Sequence, residues 1–133
     1  MIGTRIQVCD LHMVVTPNGA VVPTLCSFMV TPRATQSVLK VDGRAALVKG
    51  NSVRNRQRHV PIGGTFQIQP ANEGRFVTPG QGILRVDGKP VVVEQGMMET
   101  CDDVQRTKPV KWAARTPPHA LRVDGFVTLL GER

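Results

Sequence analysis

One phrase recurs three times in this chain of 133 residues. The copies are Val38-Leu-Lys-Val-Asp-Gly-Arg-Ala-Ala-Leu-Val48, Ile83-Leu-Arg-Val-Asp-Gly-Lys-Pro-Val-Val-Val93 and Ala120-Leu-Arg-Val-Asp-Gly-Phe-Val-Thr-Leu-Leu130. Each holds a leucine, a basic residue and then Val-Asp-Gly, and repetition at such spacings marks a repeated supersecondary unit. Asp-Gly between β-prone stretches is a strong signal for a two-residue hairpin, because both central residues of a type I′ turn need a positive φ. Within each unit Leu39 and Val41, or their counterparts, share one face of a strand while Lys40 faces the other. Hairpins are therefore expected near 37–50, 82–95 and 120–131, within a single domain spanning 1–133.

Composition sharpens this to an all-β fold. The apolar mass is valine, leucine, isoleucine and alanine, with aromatics only at Phe28, Phe66, Phe76, Phe126 and Trp112. The 13 glycines and 10 prolines cut the chain into short strands and tight turns. An apolar fraction of 41% excludes compositional disorder. No convincing helical segment is present; at most one turn could form over Lys108 to Arg115, confined by Pro109, Pro117 and Pro118.

The net charge of +7 suits acidic partners. Its only local concentration, Arg54, Arg56 and Arg58, reads as a solvated loop. Sheets that bind nucleic acid usually interleave exposed aromatics with basic residues, and here they are not interleaved. A small basic nucleic-acid-binding β-barrel is therefore the alternative reading, and no nucleic acid is expected. The N-terminus lacks the apolar core of a signal peptide. The most apolar stretch, Val21 to Val30, is about half the roughly 20 residues a spanning helix needs. The chain is expected to be made in the cytoplasm and to leave, if it leaves, without a Sec-type signal.

No nucleophile elbow, phosphate loop or dinucleotide fingerprint is present. Asp102 and Asp103 are adjacent, so in a strand they would diverge and make no carboxylate dyad. Cys101 and His59 have no surrounding thiol-enzyme motif. No enzymatic activity is expected. Three cysteines, an odd number, argue against a closed disulfide framework. His12, Cys26, His59 and Cys101 instead offer thiolate and imidazole, the preferred ligands of a structural zinc. His59 and Cys101 each follow a repeat unit, so packing about a pseudo-axis would bring distant ligands together. A small domain gains most from such a staple. Cys9 alternates with Val8 and reads as core, and His119 reads as a surface residue; these two are the other candidates for the fourth ligand.

With repeats and ligands in view, the chain resembles the PAAR-repeat proteins. Val8-Cys-Asp-Leu-His12 is similar to the opening of that family. Val38-Leu-Lys-Val-Asp-Gly-Arg-Ala-Ala46 and Ile83-Leu-Arg-Val-Asp-Gly-Lys-Pro-Val91 are similar to its repeat. The segments leading to His59 and to Met98-Glu-Thr-Cys101 match its metal-bearing stretches, so the resemblance covers about residues 5 to 103. It implies a small conical repeat of hairpins with pseudo-threefold arrangement and a zinc-stapled apex. It also implies a structural tip, one per homotrimeric β-helical spike, on a type VI secretion system, phage tail or related contractile injection particle. Effector cargo and a transiently met target membrane would be further partners, and the tip would be delivered outside the cell or into the target. Three departures stand out: Val91 and Val92 replace the namesake alanines, Thr24 follows Val22-Pro23 where the family has a histidine, and residues 104–119 have no counterpart. Cys26 takes the missing histidine's place as ligand.

Overall fold

The computed structural model describes residues 6–30, 32–55, 57–112 and 121–131. Arg56, His119 and the first residue of the third repeat, Ala120, lie outside them. The described residues form fourteen strands and no helix. A long hairpin comes first, β1 (Ile6–Val15) and β2 (Val21–Val30). Then follow β3 (Lys40–Val41), β4 (Arg44–Ala45), β5 (Ser52–Arg54), β6 (Thr65–Phe66) and β7 (Glu73–Thr78). The rest are β8 (Arg85–Val86), β9 (Lys89–Pro90), β10 (Met97–Glu99), β11 (Thr107–Pro109), β12 (Lys111–Trp112), β13 (Arg122–Val123) and β14 (Phe126–Val127). The protein is thus all-β, in small sheets.

Each repeat folds as its Asp-Gly pair dictates. β3–β4, β8–β9 and β13–β14 are two-stranded antiparallel hairpins. Their turns hold Asp42, Asp87 and Asp124 at φ 51°, 52° and 56°, each followed by a glycine at positive φ, the backbone of a type I′ turn. Val86 and Val123 are buried while Arg85 and Arg122 point to solvent, which is the expected aliphatic-in, basic-out pattern.

The segments after the hairpins close a ring. Leu47 N donates to Leu129 O (2.9 Å), Leu129 N to Val92 O (2.9 Å) and Val92 N to Leu47 O (2.8 Å). These residues occupy the same place in the three units. A second cycle joins Lys49 to Pro90, Glu94 to Val127 and Gly131 to Ala45, again donor to acceptor. Bridges Ala46↔Leu130, Val48↔Val91 and Val93↔Thr128 complete it. One chain therefore supplies three pseudo-equivalent segments, each paired with the other two. The equivalence is broken after the turns, where Arg44 is buried, Lys89 exposed and Phe126 half-buried.

The ring separates two apolar clusters. Leu47, Val92 and Leu129 point to one side, packing with Ile6, Val8, Val53, Phe76, Met98 and Val110. Their neighbours Ala46, Val48 and Val91 pack with Val86 among the hairpins. Alternation along a strand sends consecutive residues to opposite sides, so one tripeptide per unit serves both clusters. β1 leaves the first cluster at Val8 and carries the chain beyond it.

The absence of a convincing helix is borne out among the described residues: Thr107–Pro109 form β11 and Lys111–Trp112 form β12, while residues 113–115, the rest of the stretch where one turn could form, lie outside the described ones. β11 pairs with β10 through Met97↔Pro109, Met98↔Lys108 and Glu99↔Thr107, and Val110 is buried in the core. One expectation is corrected here. Cys9 is exposed: because β1 alternates strictly, burying Ile6, Val8, Asp10, His12 and Val14 turns Cys9 outward.

Candidate metal centre

Past the core, the inward face of β1 changes from aliphatic to polar. Asp10 and His12 follow Ile6 and Val8 on the same buried face, at 1% and 0% exposure. The loop after β5 brings His59 against them, and the chain leaving β10 brings Cys101. Asp10, His12, His59 and Cys101 each offer one ligand atom, all within 4.8 Å of one another.

The contacts follow a coordination pattern. His12 Nε2 lies 3.5 Å from Cys101 Sγ, Cys101 Sγ 3.4 Å from Asp10 Oδ2, and Asp10 Oδ2 3.3 Å from His59 Nε2. A tetrahedral metal, with nitrogen and oxygen at about 2.0 Å and sulfur at about 2.3 Å, spreads its ligand atoms about 3.3–3.5 Å apart. The donor set therefore fits a metal ion, and this buried Asp/His/His/Cys group could hold one.

Neighbouring groups orient each donor. Asp103 Oδ1 meets His12 Nδ1 at 3.1 Å, leaving Nε2 to face Cys101, the usual carboxylate support of a metal-bound imidazole. Asp10 Oδ1 accepts from Thr100 Oγ1 (2.5 Å) and Lys108 Nζ (3.0 Å), which leaves Oδ2 to the cluster. Asn72, at φ 58°, accepts from His59 N at 2.7 Å and ties down its own amide on Pro70 O. Gly74 lets β7 approach the chain before Cys101, since a Cβ there would sit 2.4 Å from Glu99 O.

Protonation suits the same reading. Burial lowers the pKa of His59, partly offset by its hydrogen bond to Asp10, which favours the neutral imidazole that binds metals. Burial and then the Asp10 charge push the Cys101 thiol up to about 11. Without a metal it would stay protonated; a metal would displace the proton.

Of the four ligands expected from sequence, His12, His59 and Cys101 converge. Cys26 stands opposite Asp10 in the β1–β2 register but is not among the four converging side chains. Its pKa is raised by burial and then by Asp10. Asp10 was missed by sequence reasoning, although a carboxylate at period two from His12 within an apolar alternation is a readable signal. Asp102 and Asp103 lie in the chain after β10 and not in a strand, and both turn to the edge of β1. Asp102 accepts from Leu11 N, Val104 N and Gln105 N, all at 2.7 Å, and Asp103 Oδ2 accepts from Met13 N at 2.9 Å. The pair thus grips the edge of β1 on either side of His12. Arg54 and Arg58 are exposed; Arg58 lies in a loop, as the solvated-loop reading anticipates, whereas Arg54 ends β5 and sits 3.6 Å from Glu73.

The sequence matches no family model, no curated protein and no solved structure.

Proposed function

We propose that this protein is a non-enzymatic, PAAR-like tip that caps a homotrimeric spike of a contractile injection system and carries one structural zinc. The observation that carries this reading is the cyclic ring Leu47–Leu129–Val92. It gives one polypeptide three pseudo-equivalent segments, the arrangement a single copy needs to seat on a threefold partner. The resemblance in Val8-Cys-Asp-Leu-His12 and the first two repeats adds support. In this reading the buried Asp10/His12/His59/Cys101 set holds zinc, since imidazole and thiolate favour it over hard cations. Four protein donors would leave zinc no water to activate. The metal's part would be mechanical: it fastens β1, the His59 loop and the end of β10 where little apolar surface remains to do so.

Native mass spectrometry of the chain with a trimeric spike protein tests this. One copy per trimer is expected, with one zinc per chain by elemental analysis. A self-associated trimer, or three copies per spike, would remove the argument from the ring. Salt-sensitive nucleic-acid binding with a steep slope would favour the basic β-barrel reading instead.

A further inference from the structure

β2 is a long sheet edge that nothing among the described residues covers. In the first sheet the order is β12–β1–β2, with β6 pairing the other side of β1. Thr16 N donates to Ala20 O at the base of the turn, which makes that opposed pair hydrogen-bonded. Antiparallel pairs alternate, so Val15↔Val21, Met13↔Pro23, Leu11↔Leu25 and Cys9↔Ser27 are the non-bonded pairs. The far edge of β1 agrees: Leu11 N and Met13 N turn away from β2 to Asp102 and Asp103, and Met13 O accepts from Gln67 N. By the same alternation, the N–H and C=O groups of Val21, Leu25 and Ser27 point outward from β2, as does the Pro23 carbonyl. Pro23 falls where the ladder needs no donor from it, the position an edge proline takes.

Two further features set this edge apart. From Val21 to Val30 it holds no charged residue, so it lacks the lysines that usually guard an edge against added strands. Its outer face is apolar and open: Leu25 is 67% exposed and Val21 49%, beside Leu11, Met13 and Val15 across the hairpin.

We infer that the β2 edge accepts an extended segment of another protein as an added antiparallel strand, apolar at alternate positions and flanked by acidic residues. Backbone pairing to Val21, Leu25 and Ser27 would supply affinity, and side chains lying beside Val21, Pro23 and Leu25 would supply selectivity. Charge decides the occupant. A second copy would bring together two chains of +7 each and oppose two edges that are both interrupted by Pro23. An acidic strand meets attraction and a single gap. The inference is independent of the spike-tip reading.

The probe is a fluorescent peptide of about seven alternating valine and threonine residues with paired glutamates at each end. Anisotropy titration of the full chain should show saturable binding, with slowed amide exchange at Leu25 and Ser27. Leu25→Glu and Leu25→Pro should each weaken binding at least tenfold while leaving the melting temperature unchanged, since the side chain is exposed and the N–H points outward. Methylating alternate peptide amides should abolish binding. The inference is overturned by no binding, by binding that survives Leu25→Glu, or by equal binding of the methylated peptide. It is also overturned if sizing shows a dimer joined through this edge, or if only anionic lipid vesicles, and not the peptide, respond to Leu25→Glu.

Discussion

The ring of repeats and the candidate metal centre solve the same problem, holding distant segments together, with opposite means. At the ring, equivalent residues donate backbone hydrogen bonds in a cycle, and each segment buries aliphatic side chains on both sides. No single side chain is indispensable to the geometry. At the centre, segments about ninety residues apart meet through side chains of different kinds: Asp10, His12, His59, Cys101, and behind them Asp102, Asp103 and Lys108. There each group has its own task and no counterpart. The ring should therefore be sensitive chiefly to lost apolar volume, and the centre to lost ligand and hydrogen-bonding groups.

The largest effect should come from disabling the centre. If a metal is bound, Cys101→Ser or a strong chelator should cost on the order of 5 kcal/mol or more, part of the roughly 10 kcal/mol that structural zinc can supply. Hydrogen exchange should locate the loss: amides of Leu11, Met13 and Asp103 should open, while those of Leu47, Val92 and Leu129 stay protected. Uniform exposure of both sets would break the comparison, because it would make the two regions one cooperative unit. Next, Leu47→Ala, at a side chain with 0% exposure, should cost about 2–5 kcal/mol through lost burial and a residual cavity. Chemical denaturation measures it, with metal content expected to remain unchanged.

Asp102→Ala should cost about 3 kcal/mol, because it leaves the part-buried Lys108 with Asp10 as its only carboxylate and frees three backbone donors. Its pH signature has a definite sign. Burial would raise the Asp102 pKa, but the Lys108 ammonium and the Leu11, Gln105 and Val104 amides hold it well below 3.8. A depressed carboxylate contributes fully above its unfolded-state value and loses that contribution as pH falls through the folded one. Stability should therefore drop below about pH 4, and Asp102→Asn should flatten that drop. Lys108 has the opposite signature: burial lowers its pKa, yet Asp102 and Asp10 raise it above 10.5. Its contribution is complete below that value and is lost as pH rises past it.

The same contrast explains what could be read from sequence. Hairpins are local: Asp-Gly with flanking valines dictates the turn, so β3–β4, β8–β9 and β13–β14 are foreseeable residue by residue. That the fold is all-β follows from the same patterning. The ring's cyclic order is not local, and only the repetition hints at it. His12, His59 and Cys101 are recognisable by chemistry, since few uses exist for such side chains in a small domain. Asp10 is not, because acidic residues are usually solvated and only its burial beside His12 reveals it. Lys108 is still harder: Thr107-Lys-Pro109 reads as a proline-confined turn until pairing with Met97–Glu99 turns its amine to Asp10 and Asp102.

The smallest effect tests how equal the three units are. Gln36 spans the first hairpin's exit: its amide donates to Leu39 O and Ala46 O, and its oxygen accepts from Val38 N and Leu39 N. Gln81 does the same in the second unit, to Leu84 O and Val91 O and from Ile83 N and Leu84 N. The corresponding place in the third unit is Pro118, whose side chain has neither donor nor acceptor. Removing either glutamine should cost about 1 kcal/mol, the usual net worth of a side-chain hydrogen-bond set that is half solvated. The structural counterpart is a rate difference in the unaltered protein. Thr128 N bonds Leu121 O just as Ala46 N bonds Leu39 O and Val91 N bonds Leu84 O, but without a glutamine behind it. The Thr128 amide should therefore exchange faster than those of Ala46 and Val91, and Gln81→Ala should bring Val91 toward the Thr128 rate while leaving Ala46 unchanged. If all three exchange alike before and after the substitution, the units are held by the ring alone and the glutamines contribute only to the turn that precedes it.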